Sequence, residues 1–122
     1  MARILVVDDE PSIRDLVALV LELDKHEVVT AGDGNSALAE IDKSDFDLVI
    51  TDLVMPDREG IETIISLRKS RPQLKVIAMS GGGFGNAGDY LALAAGVGAA
   101  RTLAKPFTND QLLKTVRDVL GS

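Results

Sequence analysis

Short apolar runs that alternate with helical patterns constrain the fold of this chain more than any other feature of its sequence. Runs of three or four apolar residues with little polar alternation are typical of parallel strands buried on both faces. Strands that alternate with helices favour a parallel sheet with right-handed connections and helices on both sides. The five runs occupy residues 4–7, 28–30, 48–50, 76–79 and 102–104.

The segments between these runs carry apolar residues three and four positions apart, which predicts helices over residues 13–23, 37–41, 61–68 and 112–120. The glycine-rich residues 81–85 predict a mobile loop, because glycine loses the most backbone entropy on ordering. A short alanine-rich helix is predicted near residues 89–95. The sequence therefore predicts an α/β protein: a flavodoxin-like, doubly wound (βα)5 sandwich with a five-stranded parallel sheet in the order 2-1-3-4-5.

The composition is that of one globular domain over residues 1–122. Hydrophobic and charged contents of 46% and 26% exclude a disordered chain. The formal net charge of −6 argues against a nucleic-acid partner, which needs a basic surface. No apolar stretch is long enough to cross a bilayer, so no membrane association is expected. The absence of cysteine excludes thiolate metal sites and fits a cytoplasmic protein.

Three aspartates stand at the ends of predicted buried strands. Asp8 and Asp9 follow the first run, and Asp52 follows the third. The carboxyl ends of parallel strands meet at one sheet edge, where three carboxylates would repel one another unless a cation lay between them. Hard cations such as Mg2+ take oxygen ligands from carboxylates, waters and phosphates. Taken alone, Asp8 and Asp9 fit a turn or helix cap equally well.

Two further polar residues end strands at the same predicted edge. Ser80 follows the fourth run, and Lys105 follows the fifth. A hydroxyl donor, an ammonium group and a metal-binding acidic cluster are what a transferring phosphoryl group needs. Asp52 is the candidate nucleophile, which would form an aspartyl-phosphate. The five strand ends together predict a phosphoryl-transfer site.

The order and spacing of four segments resemble the receiver domain of two-component response regulators over nearly the whole chain. None of the four is decisive alone, but together they are highly specific. They are Ile4-Leu5-Val6-Val7-Asp8-Asp9-Glu10, Asp47-Leu48-Val49-Ile50-Thr51-Asp52 with Met55-Pro56, Met79-Ser80-Gly81, and Leu103-Ala104-Lys105-Pro106-Phe107.

The resemblance implies a role for each site residue. Asp52 accepts a phosphoryl group from a phosphohistidine, and Ser80 and Lys105 contact the phosphoryl oxygens. Mg2+, with Mn2+ as an alternative, lies on Asp9, Asp52 and the Val54 carbonyl, while Asp8 acts through water. The peptide bond between Lys105 and Pro106 is expected to be cis, an isomer found in only about 5% of such bonds.

The resemblance also implies partners. The phosphodonor is a histidine kinase or a histidine phosphotransfer protein, and phosphorylation switches binding of an unidentified downstream protein at the face formed by strands four and five with their following helices. The chain is expected to be a monomer or weak dimer that catalyses only its own phosphorylation and dephosphorylation. It is either a free-standing receiver or one excised from a longer regulator.

One position departs from the family's usual pattern, and two others are positions at which members of the family differ. Thr102 stands where receivers usually carry the aromatic residue that turns inward on activation, so we expect output to pass mainly through the glycine-rich loop as Ser80 moves. Val54 and Gly82 occupy positions where family members tune phosphoryl lifetime. Neither side chain can orient a water, which predicts a long lifetime.

Other interpretations of the sequence remain open. A haloacid-dehalogenase-like phosphatase also uses aspartate, serine or threonine, lysine and Mg2+, but its second aspartate stands two residues after the first, where this chain has Glu10. A flavodoxin-like cofactor binder needs a phosphate-binding loop and aromatic residues that stack on the flavin, and the sequence lacks both features. His26, the only histidine, is interpreted as a surface residue in the turn after the first helix.

Overall fold

A computed structural model describes residues 2–52, 60–81 and 98–121, with residues 60, 61, 80 and 81 described by their backbone alone. Strands and helices alternate along these segments, as the sequence pattern predicts. In chain order they are β1 (Arg3–Val7), α1 (Pro11–Leu23), β2 (Glu27–Ala31), α2 (Gly34–Lys43), β3 (Leu48–Asp52), α3 (Gly60–Ser70), β4 (Lys75–Gly81), β5 (Arg101–Lys105) and α4 (Asn109–Val119).

The five strands form one parallel sheet in the order β2-β1-β3-β4-β5, which confirms the predicted order. β1 and β3 are central and have a neighbouring strand on each side, whereas β2 and β5 lie at the two edges. Both edge strands extend beyond their apolar runs, because sheet hydrogen bonds join backbones whatever the side chains are. The apolar pattern therefore marks only the middle of each edge strand and misses end residues such as Glu27, Arg101 and Lys105.

Side chains alternate between the two faces of the sheet and build a hydrophobic core on each. Ile4 and Val6 belong to one core, whereas Leu5 and Val7 belong to the other. α1 and α4 cover the first core, and α2 and α3 cover the second. The first core is closed by Val17, Val20, Leu21, Leu112, Val116 and Val119, and the second by Ala37, Ile41 and Leu67.

Local sequence signals determine where the helices begin. Pro11 is the first residue of α1, a position at which proline is well tolerated. The carboxylate of Asp33 accepts a hydrogen bond from the Ser36 amide at 2.7 Å. This N-cap starts α2 at Gly34, three residues before the predicted helix over residues 37–41. Thr108 caps α4 in the same way.

The amino edge of the sheet is closed by contacts from α4 and from the turn after α1. Lys75 donates to the carbonyl of Val119 at 2.8 Å, and Arg117 pairs with Asp24 at 3.0 Å. His26 lies in this turn as predicted, but its interpretation as a surface residue is wrong: its side chain is only 9% exposed. Its Nδ1 accepts a hydrogen bond from the Ala2 amide at 3.1 Å, a tertiary contact that local sequence does not reveal.

Two predicted elements lie wholly or mostly outside the residues that the structure describes. The predicted loop is described only at Gly81, and the predicted helix near residues 89–95 lies outside the described residues. In the three described segments, none of the helices combines the length and apolar character needed to cross a membrane.

The N-cap of α2 yields a pH-dependent prediction. Hydrogen bonds from the backbone and side chain of Ser36 lower the pKa of Asp33 below its ordinary value of 3.8. Because the folded pKa is lowered, the contribution to stability is present above pH 3.8 and is lost as the pH falls through the folded pKa. Asp33→Ala is expected to lower the unfolding free energy by about 1 kcal/mol at neutral pH and by less below that window.

Urea unfolding of wild type and variant across the acidic range measures this difference. Asp33→Asn is the matched control, because asparagine also caps helices but does not titrate. A stability difference between wild type and Asp33→Ala that stays constant down to the lowest pH would contradict the assignment.

Candidate functional site

The carboxyl ends of three strands bring the predicted acidic and basic residues to one edge of the sheet. Asp52 is the last residue of β3, and Lys105 is the last residue of β5. Asp8 and Asp9 follow β1 directly, next to β3 in the sheet. The strand order of the parallel sheet reverses between β1 and β3, and α/β folds usually place their ligands at such a point.

The three carboxylates form one cluster. One oxygen from each of Asp8, Asp9 and Asp52 lies within 4.8 Å of the others. Asp8 is fully buried and Asp52 is 5% exposed, whereas Asp9 is exposed to solvent. Carboxylates this close repel one another, and burial removes the water that would screen them. The cluster therefore depends on positive charge.

Lys105 supplies part of that charge from the chain itself. Its Nζ donates a hydrogen bond to Oδ2 of Asp8 at 2.9 Å and lies 3.5 Å from Oδ2 of Asp52. The Lys105 side chain is 15% exposed, so these contacts are weakly screened. This ammonium bridges Asp8, which follows β1, and Asp52, which ends β3.

The pKa of Lys105 reflects two opposing effects. Burial lowers the pKa of Lys105, but the hydrogen bond that its ammonium donates to Asp8 and the negative charges of Asp52, Asp8 and Glu10 outweigh burial and raise the pKa above the ordinary 10.5. Lys105 is therefore charged throughout the neutral range. Its stabilising contribution is fully present below pH 10.5 and is lost as the pH rises through the folded pKa.

The Asp8 backbone and side chain are held by further contacts at the start of α1. Oδ1 of Asp8 accepts a hydrogen bond from the Glu10 amide at 2.9 Å. The Nη1 atom of Arg14 donates to the Asp8 carbonyl at 3.3 Å. The sequence analysis missed Arg14. The available signal was a cation in the first turns of a helix, where the helix dipole favours negative charge.

The structure gives less information on the other predicted site residues. Ser80 lies in β4 opposite Ala104, one residue before Lys105 in the neighbouring strand, but its hydroxyl lies outside the description. Val54 also lies outside the described residues. Thr102 is half-buried inside β5 and pairs with Ala78. The peptide bond between Lys105 and Pro106 is cis, which confirms that expectation.

The donor set of the cluster fits Mg2+. All three ligand atoms are carboxylate oxygens, and their spacing allows one ion to contact them together. A site with few protein carboxylates leaves coordination positions for water and phosphate oxygens, which is typical of Mg2+ in phosphoryl transfer.

Comparison with protein families gives one match over most of the chain. Residues 4–117 match the model of the response regulator receiver domain. The CAI-1 autoinducer sensor kinase/phosphatase CqsS of Vibrio cholerae is 39% identical over 114 residues, which are 93% of this chain and 17% of CqsS. The DNA-binding transcriptional regulator NtrC of Azospirillum brasilense is 37% identical over 99% of this chain and 24% of NtrC. The chain thus spans about a fifth of each of these two relatives.

Solved structures agree with the fold. The receiver domain of NtrX from Brucella abortus superposes with a TM-score of 0.91 at 36% identity, and the match covers 98% of each chain. The chemotaxis protein CheY4 of Vibrio cholerae gives a TM-score of 0.86 at 35% identity, again over 98% of each chain.

The ion pair between Lys105 and Asp8 predicts a large effect of removing the ammonium. Lys105→Met leaves a fully buried carboxylate without its cation, and we expect the unfolding free energy of the metal-free protein to fall by about 3 kcal/mol. Adding Asp8→Asn should recover much of this loss, because it removes the uncompensated charge.

Denaturant unfolding in the presence of a chelator at neutral pH measures both changes. Lys43→Met is the matched control, because Lys43 pairs with Glu40 at 3.6 Å while its side chain is 69% exposed, and its loss should cost at most about 0.5 kcal/mol. If Lys105→Met costs no more than this control, the ammonium is not the main support of the cluster.

Proposed function

Because the chain belongs to the response regulator receiver domain family, we propose that Asp52 accepts a phosphoryl group in a Mg2+-dependent reaction and thereby carries a signal. One observation supports this assignment most. A nearly buried carboxylate ends a central strand with an ammonium 3.5 Å away and two further carboxylates within 4.8 Å. Asp52, Asp8, Asp9 and Lys105 thus combine a nucleophile with the charges that phosphoryl transfer requires.

Asp52 acts as the nucleophile. One of its carboxylate oxygens attacks phosphorus, a new O–P bond forms, and the bond from phosphorus to the donor's histidine nitrogen breaks. The nitrogen keeps the electron pair, so the histidine leaves as neutral imidazole after protonation. The ammonium of Lys105, 3.5 Å from Oδ2 of Asp52, attracts this carboxylate beforehand and would hold a phosphoryl oxygen afterwards.

Asp8, Asp9 and Asp52 are the residues that would hold Mg2+ or Mn2+, with the Val54 carbonyl as a further ligand. When bound, the ion neutralises negative charge that the carboxylates and the incoming phosphoryl group bring together. Asp8 is the least available of the three, since Lys105 and the Glu10 amide already occupy its two oxygens. This favours its proposed role through water, and it also disfavours Asp8 as the nucleophile of a dehalogenase-like phosphatase.

Ser80 is the proposed hydroxyl donor to the phosphoryl group, and its movement is the first step of the switch. Threonine at 102 is too small to act as the aromatic switch residue of other receivers. We therefore assign output mainly to the glycine-rich residues 81–85 after β4, and we place the docking of a downstream protein on the face that β4, β5 and the segments after these strands are predicted to form. Phosphorylation adds nearly two negative charges, enough to bias such an element.

The proposed phosphodonor is a histidine kinase or a histidine phosphotransfer protein. A receiver-like segment occurs within the sensor kinase CqsS and within the DNA-binding regulator NtrC. These names describe those proteins, and the downstream partner of this chain follows from neither. The expectations of no nucleic-acid partner, of a monomer or weak dimer, and of activity only on its own Asp52 stay predictions.

Labelling with a small-molecule phosphodonor tests the proposal. In the presence of Mg2+, intact-mass measurement is expected to show addition of one phosphoryl group to the wild type and to Asp45→Asn, an exposed carboxylate at the opposite edge of the sheet. Asp52→Asn should retain less than about a tenth of the labelling, because the nucleophile is lost. Omission of Mg2+ should abolish labelling of all three. An unlabelled wild type, or equal labelling of Asp52→Asn, would reject the function.

The lifetime of the phosphorylated form gives a second test. Neither Val54 nor Gly82 offers a side chain that can orient an attacking water, so we expect hydrolysis toward the slow end of the family's range. Decay of the mass-labelled species after removal of the donor measures this lifetime. Loss of the phosphoryl group within seconds would contradict the prediction.

A further inference from the structure

Arg14 occupies an unusual position for a cation. It lies in the first turns of α1, where the helix dipole disfavours positive charge, and its side chain is only 23% exposed. Its Nη1 atom donates to the carbonyl of Asp8, the residue before the exposed metal-ligand candidate Asp9. The guanidinium therefore contacts the peptide unit that joins two carboxylates of the acidic cluster.

Gly32 leaves the space in which this guanidinium lies. A Cβ atom on Gly32 would stand 3.1 Å from Nη1 of Arg14, closer than ordinary contacts allow. The backbone of Gly32 is outside the left-handed region, so its conformation alone does not require glycine. The preceding residue, Ala31, accepts a hydrogen bond from the Asp8 amide at 3.2 Å. The Asp8 backbone is thus held at its amide by β2 and at its carbonyl by Arg14.

We propose that Arg14 is a positioning residue for the metal site and that Gly32 exists as glycine to admit its guanidinium. By fixing the peptide between Asp8 and Asp9, Arg14 sets the directions in which both carboxylates face Asp52. The consequence for phosphorylation rests on the function proposed above. The consequence for cation binding does not, since it concerns the unphosphorylated protein.

Charge and position act in opposite directions at this residue, which makes the proposal testable. A cation near the cluster repels Mg2+, so removal of Arg14 would strengthen Mg2+ binding if charge alone mattered. Loss of the bond to Asp8 would weaken Mg2+ binding, as is usual for groups that orient metal ligands. Gly32→Ala separates the two effects, because it displaces the guanidinium and keeps its charge. The bond is already 3.3 Å long, so a shift of a few tenths of an ångström away from the Asp8 carbonyl takes it beyond hydrogen-bonding distance.

The experiment measures the Mg2+ dissociation constant of unphosphorylated protein from amide chemical shifts, for wild type, Gly32→Ala, Arg14→Gln and the double variant. We expect Gly32→Ala to raise the constant about three- to ten-fold, at or below the lower end of the range for groups behind metal ligands. Arg14→Gln should raise the Mg2+ dissociation constant above the wild-type value, and by more in high salt than in low salt. In low salt, removal of the positive charge favours Mg2+ binding and partly offsets the loss of the hydrogen bond to Asp8. In the Arg14→Gln background, Gly32→Ala should leave the Mg2+ dissociation constant unchanged.

Arg101→Gln is the matched control, because it removes one exposed arginine at the end of β5 opposite Lys105. It should leave the constant at the wild-type value in high salt. Two results would overturn the proposal: Gly32→Ala binding Mg2+ like wild type, or Gly32→Ala acting equally with and without Arg14. An unlabelled wild type in the phosphodonor experiment would instead reject the proposed function, and the Mg2+ constants would still decide the role of Arg14.

Discussion

The structure depends on one ion pair, between Lys105 and Asp8. The two residues are 97 positions apart, and their contact at 2.9 Å joins the end of an edge strand to the turn after a central one. Without this ammonium, three carboxylates at a partly buried edge would destabilise the fold that brings them together. The same charges raise the pKa of Lys105 and keep it a cation at neutral pH. The same four side chains, Asp8, Asp9, Asp52 and Lys105, thus bear on the stability of this edge and form the proposed site.

Much of this arrangement was predictable from sequence, because the relevant signals are local. Apolar runs of three or four residues mark strands, and alternation with helices leaves few topologies for a parallel sheet. Once the strands are known, a polar residue after each strand lies at the same edge, which is why Asp8, Asp9, Asp52 and Lys105 could be placed together. The helices were predictable for the same reason, although each begins one to three residues before its first periodic apolar residue.

The parts that the sequence did not reveal depend on contacts between distant elements. His26 is enclosed because its ring meets the Ala2 amide 24 residues away, and no local pattern encodes that encounter. Arg14 resembles any helical surface arginine until the turn after β1 and the residue after β2 are seen to enclose it. The lengths of β2 and β5 are set by backbone hydrogen bonds, which the pattern of apolar side chains does not reveal.

The position of each charge in the sheet has a mechanical consequence. The acidic groups lie directly after β1 and at the end of β3, two strands that have a neighbour on both sides, whereas the ammonium is carried by β5, which pairs only with β4 in the described sheet. An edge strand opens at lower free energy than a central one. The strands next to the aspartates are thus held more rigidly than β5, the strand that carries Lys105. A force applied at the aspartate cluster therefore meets less resistance at β5, which has one neighbouring strand, than at β1 or β3, which have two.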